Sequence, residues 1–388
     1  MDICLYNGTV LTGFSKMDNC AVLIQDGSIA DVFSQRRFEK RNFGSNVRLI
    51  DVQGAFIAPG FIDTHIHGFM GNGTDNCTAD AMLRMSKDIV QYGVTGFTPT
   101  MYPSSEETMI SNIKEIVKAM GKEEGAKILG IHMEGPFISP GKLGVQRPET
   151  VKGVDLDLLD RLWDASEGHI VNMTVAPELK NMRYLALSCL QKGIVLQAGH
   201  TNADYENMVE GMQVGIMHST HLFNAMSQMH HRNPGAVGAI LIHPEMSCEI
   251  IADGVHIHPD LIKLLARDKS IDKIVLVSDG LTPTESDAEV LRANGEEVVF
   301  EGGCFHREAD GVIAGSSLTM LKGIENLVSW GFSVSDAVKT ATASPASIMH
   351  YEKKGMLIPG YDADIVVFDK HYNVLASIVE GMLKKDIL

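Results

Sequence analysis

Cysteine is sparse in this sequence, and the cysteines present are not spaced as a disulfide framework or a thiolate metal site requires. Six cysteines are scattered singly over 388 residues, and no two form a Cys-x-x-Cys motif. Disulfide-rich domains and zinc ribbons concentrate their cysteines at short, regular spacings. The pattern therefore argues against both and favours reduced thiols.

Positive charge and long hydrophobic runs are also lacking. Lys and Arg number 33 against 49 Asp and Glu, which gives a formal net charge of −16 at pH 7. Such a field repels nucleic acid and anionic membranes, so we expect neither as a partner. No apolar run reaches the roughly 20 residues of a membrane-spanning helix, and the first residues lack the features of a signal peptide. We expect a cytoplasmic protein that binds any anionic ligand through local positive groups.

The two ends of the chain share a pattern that the middle lacks. Short apolar runs separated by glycine-containing turns fill about the first fifty residues and return after the Pro-Gly turn at 359–360. Neither end has enough strands for a stable sheet alone, so we expect the two ends to pair. The sequence predicts a small discontinuous β-sandwich domain from residues 1–57 and 350–388, and a larger domain at 58–349. Two independent appendages are the alternative.

Between the ends, eight short apolar runs alternate with segments of helix length. The runs are 61–67, 94–100, 128–134, 171–177, 194–200, 219–223, 248–253 and 274–279. Strands that alternate with helices predict an α/β fold with a parallel sheet, and a count of eight points to a closed (β/α)₈ TIM barrel. An open, doubly wound sheet is the alternative.

Six of the eight runs end in histidine or carboxylate side chains. In a barrel of this kind the active site lies where strands end and loops begin. His65 and His67 are two residues apart, so on a strand both rings face the same side. Imidazole and carboxylate ligands suit a divalent metal without any thiolate. The sequence therefore predicts one or two divalent ions per chain, of zinc, iron, manganese or cobalt.

Four segments carry a family resemblance. Residues 59–68, PGFIDTHIHG, resemble the opening motif of the amidohydrolase superfamily. Residues 132–137, HMEGPF, with 142–146, KLGVQ, and residues 221–226, HLFNAM, are similar to the N-acetylglucosamine-6-phosphate deacetylases. The resemblance continues to the closing turn at 355–364. It implies a metal-bearing barrel that hydrolyses the acetamide of N-acetylglucosamine 6-phosphate, giving glucosamine 6-phosphate and acetate, and it also implies a homodimer.

The resemblance implies a role for each matching residue. Glu134 would replace the carboxylated lysine of other amidohydrolases and could bridge two metals. The six implied metal ligands are His65, His67, Glu134, His200, His221 and Asp279. Asp279 and His256 are the implied catalytic residues. Asp279 would act as the base and then the acid, and His256 would contact the substrate near the scissile amide, where it could stabilise the oxyanion or orient the acetamide.

The implied substrate-binding residues are Val145, Gln146, Asn224, Ala225, Arg232, His256 and Ile313. Asn224 and Ala225, through loop amides, and Arg232 would hold the phosphate. Arg232 stands in a small basic island, His230-His231-Arg232, within an acidic chain, and arginine can bind phosphate through two hydrogen bonds. Val145 stands where the family usually has a smaller residue.

Three other functions remain open. The substrate could be N-acetylgalactosamine 6-phosphate or another N-acyl amino-sugar phosphate. Cyclic-amide hydrolysis is disfavoured because no strand-end lysine suited to carboxylation stands out. A serine nucleophile is not indicated either, since the sequence has no Gly-x-Ser-x-Gly motif. A non-catalytic scaffold would have no use for a full set of metal ligands.

Overall fold

The middle of the chain forms eight parallel strands that alternate with helices. The computed structural model describes residues 2–75 and 77–388, so residue 1 of the predicted first segment lies outside the described residues. The eight strands are Phe61–Ile66, Val94–Met101, Ile131–Glu134, Ile170–Val175, Val195–Ala198, Ile216–Ser219, Cys248–Ile250 and Ile274–Leu276. The first six form one curled parallel sheet in sequence order, and the last two pair with each other. The predicted α/β alternation is confirmed.

Backbone hydrogen bonds connect these two groups of strands. Leu222 N donates to Glu249 O over 2.9 Å, next to the sixth and seventh strands. Asp279 N donates to His65 O over 2.9 Å, which links the end of the eighth strand to the first. The carboxyl ends of the first, sixth, seventh and eighth strands therefore lie together.

A helix follows each parallel strand. These helices are Ala79–Ile89, Glu106–Ala119, Leu156–Ala165, Met182–Gln191, Tyr205–Gln213, Gly235–Ile242, Pro259–Asp268 and Met320–Ser329, and two more, Val334–Thr340 and Ala343–Ile348, close the region. Several begin at a side-chain cap: Thr78 and Ser105 each accept a hydrogen bond from a backbone N–H in the first turn. Among the described residues, no helix combines the length and apolarity needed to span a bilayer.

Two strand predictions need correction. The sixth strand was predicted at 219–223 but lies at Ile216–Ser219, because 221–225 forms a turn in which His221, Phe223 and Ala225 have positive φ. The third run, 128–134, is interrupted at Gly130, whose φ of 150° separates Lys127–Ile128 from Ile131–Glu134.

Strands from both chain ends make up a second sheet. Its members are Asp2–Leu11, Lys16–Gln25, Ser28–Ser34, Val47–Asp51, Phe56–Pro59, Ile365–Phe368, Val374–Val379 and Met382–Asp386, with one short helix at Gln35–Phe38. The ends meet where Ile365–Phe368 pairs antiparallel with Phe56–Pro59. Apolar side chains from both ends share one buried cluster beneath it, including Ile24, Ile57 and Val367.

A four-stranded antiparallel sheet follows the eighth parallel strand, and the sequence did not predict it. Its strands are Leu291–Ala293, Glu296–Glu301, Cys304–Arg307 and Ile313–Ser316. Ser316 N donates to Asp279 O over 2.8 Å, so the last strand of this sheet joins the end of the eighth parallel strand. The insertion therefore borders the candidate site.

Candidate active site

The carboxyl ends of the parallel strands bring all six predicted metal ligands together. Two buried groups of three form, each with its ligand atoms within 4.8 Å of one another: His65, His67 and Asp279 in one, and Glu134, His200 and His221 in the other. All six ligands implied by the family resemblance belong to these two groups, and they come from five different strand ends.

Glu134 lies between the two groups. Its Oε1 is 3.2 Å from Nε2 of both His200 and His221. The same oxygen is 3.5 Å from His65 Nε2, and Oε2 is 3.5 Å from His67 Nε2. A carboxylate within reach of all four rings has the position that a bridging ligand requires.

Three of the four ligand rings are held at Nδ1 so that Nε2 points toward the centre. The Nδ1 atoms of His67 and His200 each lie 3.0 Å from a backbone carbonyl, of Thr100 and Lys142 respectively. His65 Nδ1 lies 3.0 Å from Glu249 Oε2. Such contacts place the proton on Nδ1 and leave Nε2 as the ligand atom.

The donor set fits a divalent metal. Among the described residues, His65 Nε2 is buried and has no hydrogen-bond partner, although buried polar atoms normally have one. Four imidazole nitrogens and two carboxylates, with no thiolate, are the ligands that zinc, iron, manganese and cobalt accept. An ion among these atoms would satisfy the unpaired nitrogen.

The carboxylates are held in the ionised form that a metal needs. Burial alone raises the pKa of Asp279, but the neighbouring His65 and His67 lower it to about 2. Burial likewise opposes ionisation of Glu134, and His200, followed by His221 and His65, brings its pKa well below the usual range. On the same strand as Glu134, burial lowers the pKa of His132 well below its usual range.

Three of the six ligands have an unusual backbone conformation. His200, His221 and Asp279 have φ values of 46°, 22° and 49°. Non-glycine residues in this left-handed region cost on the order of 1–3 kcal/mol each and cluster at functional sites. The strain arises where the chain turns from strand to loop, and it turns these side chains toward the centre.

A cavity of about 270 Å³ opens above the two groups. Six of the residues predicted to bind substrate line this cavity: Val145, Gln146, Asn224, Ala225, His256 and Ile313. A larger cavity of about 960 Å³ lies elsewhere, beside residues such as Gln91 and Lys322, and no histidine is among its described lining residues. Chemistry rather than volume identifies the site.

Arg232 does not line this cavity among the described residues. Its side chain is exposed, and Nη1 lies 2.9 Å from His231 Nε2 on the loop before the helix Gly235–Ile242. The structure therefore groups six of the seven predicted substrate-binding residues and leaves Arg232 outside.

His256 is fixed by an aspartate on its own turn. Asp253 Oδ2 lies 2.6 Å from His256 Nδ1, and Asp253 Oδ1 accepts the backbone N–H groups of Val255 and His256 at 2.9 Å. Nε2 is the ring atom left for the cavity.

The loops at the cavity mouth have contacts that refine their roles. Gln146 is buried, and its Nε2 donates to Glu134 Oε2 over 2.6 Å, so it orients a metal ligand. Asn224 N–H donates to His221 O over 3.0 Å inside its turn.

Residues 56–388 match the profile described as the amidohydrolase family. The chain belongs to this family. The resemblance recognised in the sequence is confirmed.

Curated relatives of this amidohydrolase cover almost its whole length. The N-acetylglucosamine-6-phosphate deacetylase of Bacillus subtilis (strain 168) is 30% identical, over 96% of this chain and 94% of the relative. The protein of the same name from Haemophilus influenzae is 30% identical over 100% of both chains. An N-acetylgalactosamine-6-phosphate deacetylase from Shewanella sp. (strain ANA-3) is also 30% identical, over 96% of this chain and 94% of the relative.

Solved structures agree with the fold of the amidohydrolase. The N-acetylglucosamine-6-phosphate deacetylase of Pasteurella multocida superposes with a TM-score of 0.92 at 26% identity, over 100% of both chains. A mutant of the Mycobacterium smegmatis enzyme in complex with N-acetyl-D-glucosamine-6-phosphate gives 0.90 at 26% identity, over 99% of both chains.

Sequence reasoning missed three residues of this amidohydrolase site. Tyr102 stacks on His67 with ring centroids 3.8 Å apart. Asp253 holds His256, and Glu249 holds His65. Two of them carried a signal: Tyr102 directly follows the second strand, and Glu249 is a charged residue inside an apolar strand.

Proposed function

We propose that this protein hydrolyses the acetamide of N-acetylglucosamine 6-phosphate to glucosamine 6-phosphate and acetate. The observation that carries the proposal is the pair of buried ligand groups around Glu134, which open into one cavity with His256 and Asp279. Full-length relatives named for this reaction support it. No nucleophilic side chain is required, because water is the attacking group.

The six ligands would hold one or two divalent ions. Bound there, a metal supplies Lewis acidity, which polarises a carbonyl and lowers the pKa of water to about 7. Glu134 keeps the two groups of ligands at a fixed separation, and the Nδ1 contacts keep the rings aligned.

Asp279 moves the proton. As a carboxylate it accepts a proton from the water that attacks the acetamide carbon, and it then gives that proton to the nitrogen as the C–N bond breaks. The amine leaves neutral together with acetic acid, which then ionises to acetate and gives its proton to the amine or to solvent. The backbone contacts of Asp279 with His65 O and Ser316 N, both under 3.0 Å, fix the carboxylate for both transfers.

His256 orients the substrate in this proposal. Asp253 favours the tautomer with the proton on Nδ1, and in that tautomer Nε2 can accept a hydrogen bond from a sugar hydroxyl or the acetamide N–H. The apolar face formed by Val145 and Ile313 would pack against the sugar.

The phosphate would be held by the loop amides of Ala225 and Asn224 and by Arg232. The Asn224 N–H and Nδ2 groups now donate to carbonyls of their own turn and would exchange those hydrogen bonds for the phosphate. Ala225 and Asn224 line the cavity. Arg232 is exposed, so it would have to swing toward the phosphate or reach it from a second copy of the chain in the predicted homodimer.

Arg232→Ala tests the phosphate role. A hydrogen bond to a charged group contributes roughly 1.5–3 kcal/mol, which is about ten- to a hundred-fold in kcat/KM. We expect a loss of that size on the 6-phosphate substrate and little loss on unphosphorylated N-acetylglucosamine. Arg36→Ala, which removes an exposed arginine from the short helix Gln35–Phe38, is the matched control. Equal losses on both substrates would show that Arg232 does not recognise phosphate.

The galacto isomer is the second candidate substrate, and the Shewanella relative favours it. Acetate release from both 6-phosphates, measured on metal-loaded and chelated protein, separates the candidates. We expect the higher kcat/KM on the gluco isomer. Absence of acetate release from either sugar at full metal loading would overturn the proposed function and leave another N-acyl amino-sugar phosphate or a non-catalytic scaffold as the alternatives.

The closure of the barrel and the division into domains are also part of the proposal. We propose that the eight parallel strands close into a (β/α)₈ barrel at 58–349 and that 1–57 with 350–388 form a β-sandwich domain. The hydrogen bond between Asp279 N and His65 O supports closure. The homodimer and the cytoplasmic location stay predictions from the sequence.

A further inference from the structure

Glu249 is a buried carboxylate that no part of the proposed reaction uses. It lies in the middle of the seventh parallel strand, Cys248–Ile250, with 0% of its surface exposed. Residues at this depth of a parallel sheet are normally apolar, and an isolated buried charge is costly. A charged Glu249 at this depth therefore requires partners that compensate its burial.

Its partners connect it to the ligand groups. Oε2 lies 3.0 Å from His65 Nδ1 and accepts His221 N–H over 3.2 Å. Oε1 accepts from Gln197 Nε2 over 3.0 Å and lies 3.8 Å from His218 Nε2. One carboxylate oxygen thus contacts the ring of His65 in one ligand group and the backbone N–H of His221 in the other, and the buried Gln197 amide fixes the second oxygen.

The contact with His65 determines which ring nitrogen can bind a metal. A carboxylate can only accept at Nδ1, so the proton stays there and Nε2 keeps its lone pair toward Glu134 and Asp279. Two of the other three ligand rings, those of His67 and His200, rely on neutral backbone carbonyls for this purpose. His65 alone among these three has a charged partner.

The negative charge of Glu249 also affects how many ions the site can hold. Two divalent ions bring four positive charges, and Glu134 and Asp279 together supply two negative ones. Glu249 adds a third negative charge that is shielded from water. A site with one ion is already balanced by Glu134 and Asp279, so the extra charge favours the second ion.

We propose that Glu249 is a positioning residue that secures the metal at His65, His67 and Asp279. It acts through His65, by fixing the ring and by adding negative charge beneath it. The inference rests on the proposed metal-dependent function but concerns retention of one ion, which no comparison assigns to this residue.

Metal binding to Glu249→Gln and Glu249→Ala tests the inference directly. Loss of a carboxylate behind a ligating histidine typically weakens metal binding 10–100-fold. We expect titration of the metal-free variants with Zn²⁺ or Co²⁺ to show one site weakened about that much and the other unchanged. Glu123→Gln, which alters a buried glutamate remote from the histidines, is the matched control and should bind both ions normally.

A double-mutant cycle separates positioning from general damage. If Glu249 acts through His65, Glu249→Gln should not weaken metal binding further in a His65→Gln background. Activity of Glu249→Gln should return when the metal concentration is raised, which a folding defect would not allow.

Three results would each overturn the inference. Both Glu249 variants could bind two ions normally, both sites could be weakened equally, or the losses in the double variant could be additive. Because the experiment measures ion binding, its outcome does not depend on whether the protein has the proposed deacetylase activity. An unmodified protein that binds two ions but releases no acetate would refute the function and leave this test intact.

Discussion

Asp279→Asn is expected to lower kcat/KM by at least about 10²–10⁴-fold, the range typical of a group that transfers protons in the transition state. The asparagine keeps the size of the side chain and the backbone hydrogen bonds to His65 and Ser316. It removes the basic oxygen that lies 3.4 Å from Nε2 of both His65 and His67. The measurement is steady-state acetate release at saturating metal.

Metal content and fold must be measured on the same sample, because Asp279 is also a proposed ligand. Asp310→Asn removes an exposed carboxylate from the antiparallel insertion and should leave kcat/KM unchanged. Near-normal turnover by Asp279→Asn with normal metal content would remove Asp279 from the proton-transfer step. A loss that disappears on adding metal would make it a ligand only.

The sequence predicted the site better than it predicted the chain around it. Strand ends in a parallel sheet converge, so a histidine pair at 65 and 67, a glutamate at 134 and an aspartate at 279 could be placed together without any coordinates. What made this possible is that each ligand directly ends or follows an apolar run. Periodicity and position predicted a metal site at the strand ends, and the family resemblance assigned the individual ligands.

Contacts that depend on depth or on irregular backbone could not be predicted in that way. Glu249 appears in the sequence as one charge in an apolar run, and only the fold shows that its oxygen meets His65. The positive φ of His221, which ends the sixth strand early, is a property of the folded turn. Neither feature corresponds to a recognisable spacing of residues in the sequence.

The position of Arg232 shows the limit of a motif. The residue was assigned to phosphate by resemblance and by its basic neighbours, yet its side chain is exposed and outside the cavity lining among the described residues. A motif fixes which residue is present, whereas loop conformation and any partner subunit decide what it reaches. The substrate comparison on Arg232→Ala addresses that gap.

Glu134→Gln is expected to abolish binding of at least one ion and to weaken the other, because Glu134 lies within 3.5 Å of Nε2 on all four ligand rings. The glutamine carbonyl would take over the hydrogen bond from Gln146 Nε2, now 2.6 Å to Oε2. Its NH₂ group would then face His200 and His221, and an amide NH₂ has no lone pair for a metal. One negative charge is lost as well.

The effect on turnover should be correspondingly large. A catalytic metal contributes several kcal/mol to the transition state, and each 1.36 kcal/mol is tenfold, so kcat/KM should fall by at least about 10³-fold. Elemental analysis and acetate release on the same preparation provide the measurement. Glu134→Asp, which keeps the charge but shortens the reach, should recover part of the metal binding.

A double variant with His65→Gln and His67→Asn gives the comparison that isolates the bridging role. It should lose the ion at His65, His67 and Asp279 and keep the ion at Glu134, His200 and His221, since those three ligands form a separate group. Glu134→Gln should therefore hold less metal than the double variant, although it changes one residue instead of two. If Glu134→Gln retains two ions per chain, or if the double variant loses both, Glu134 does not connect the two groups in the way that its position between them indicates.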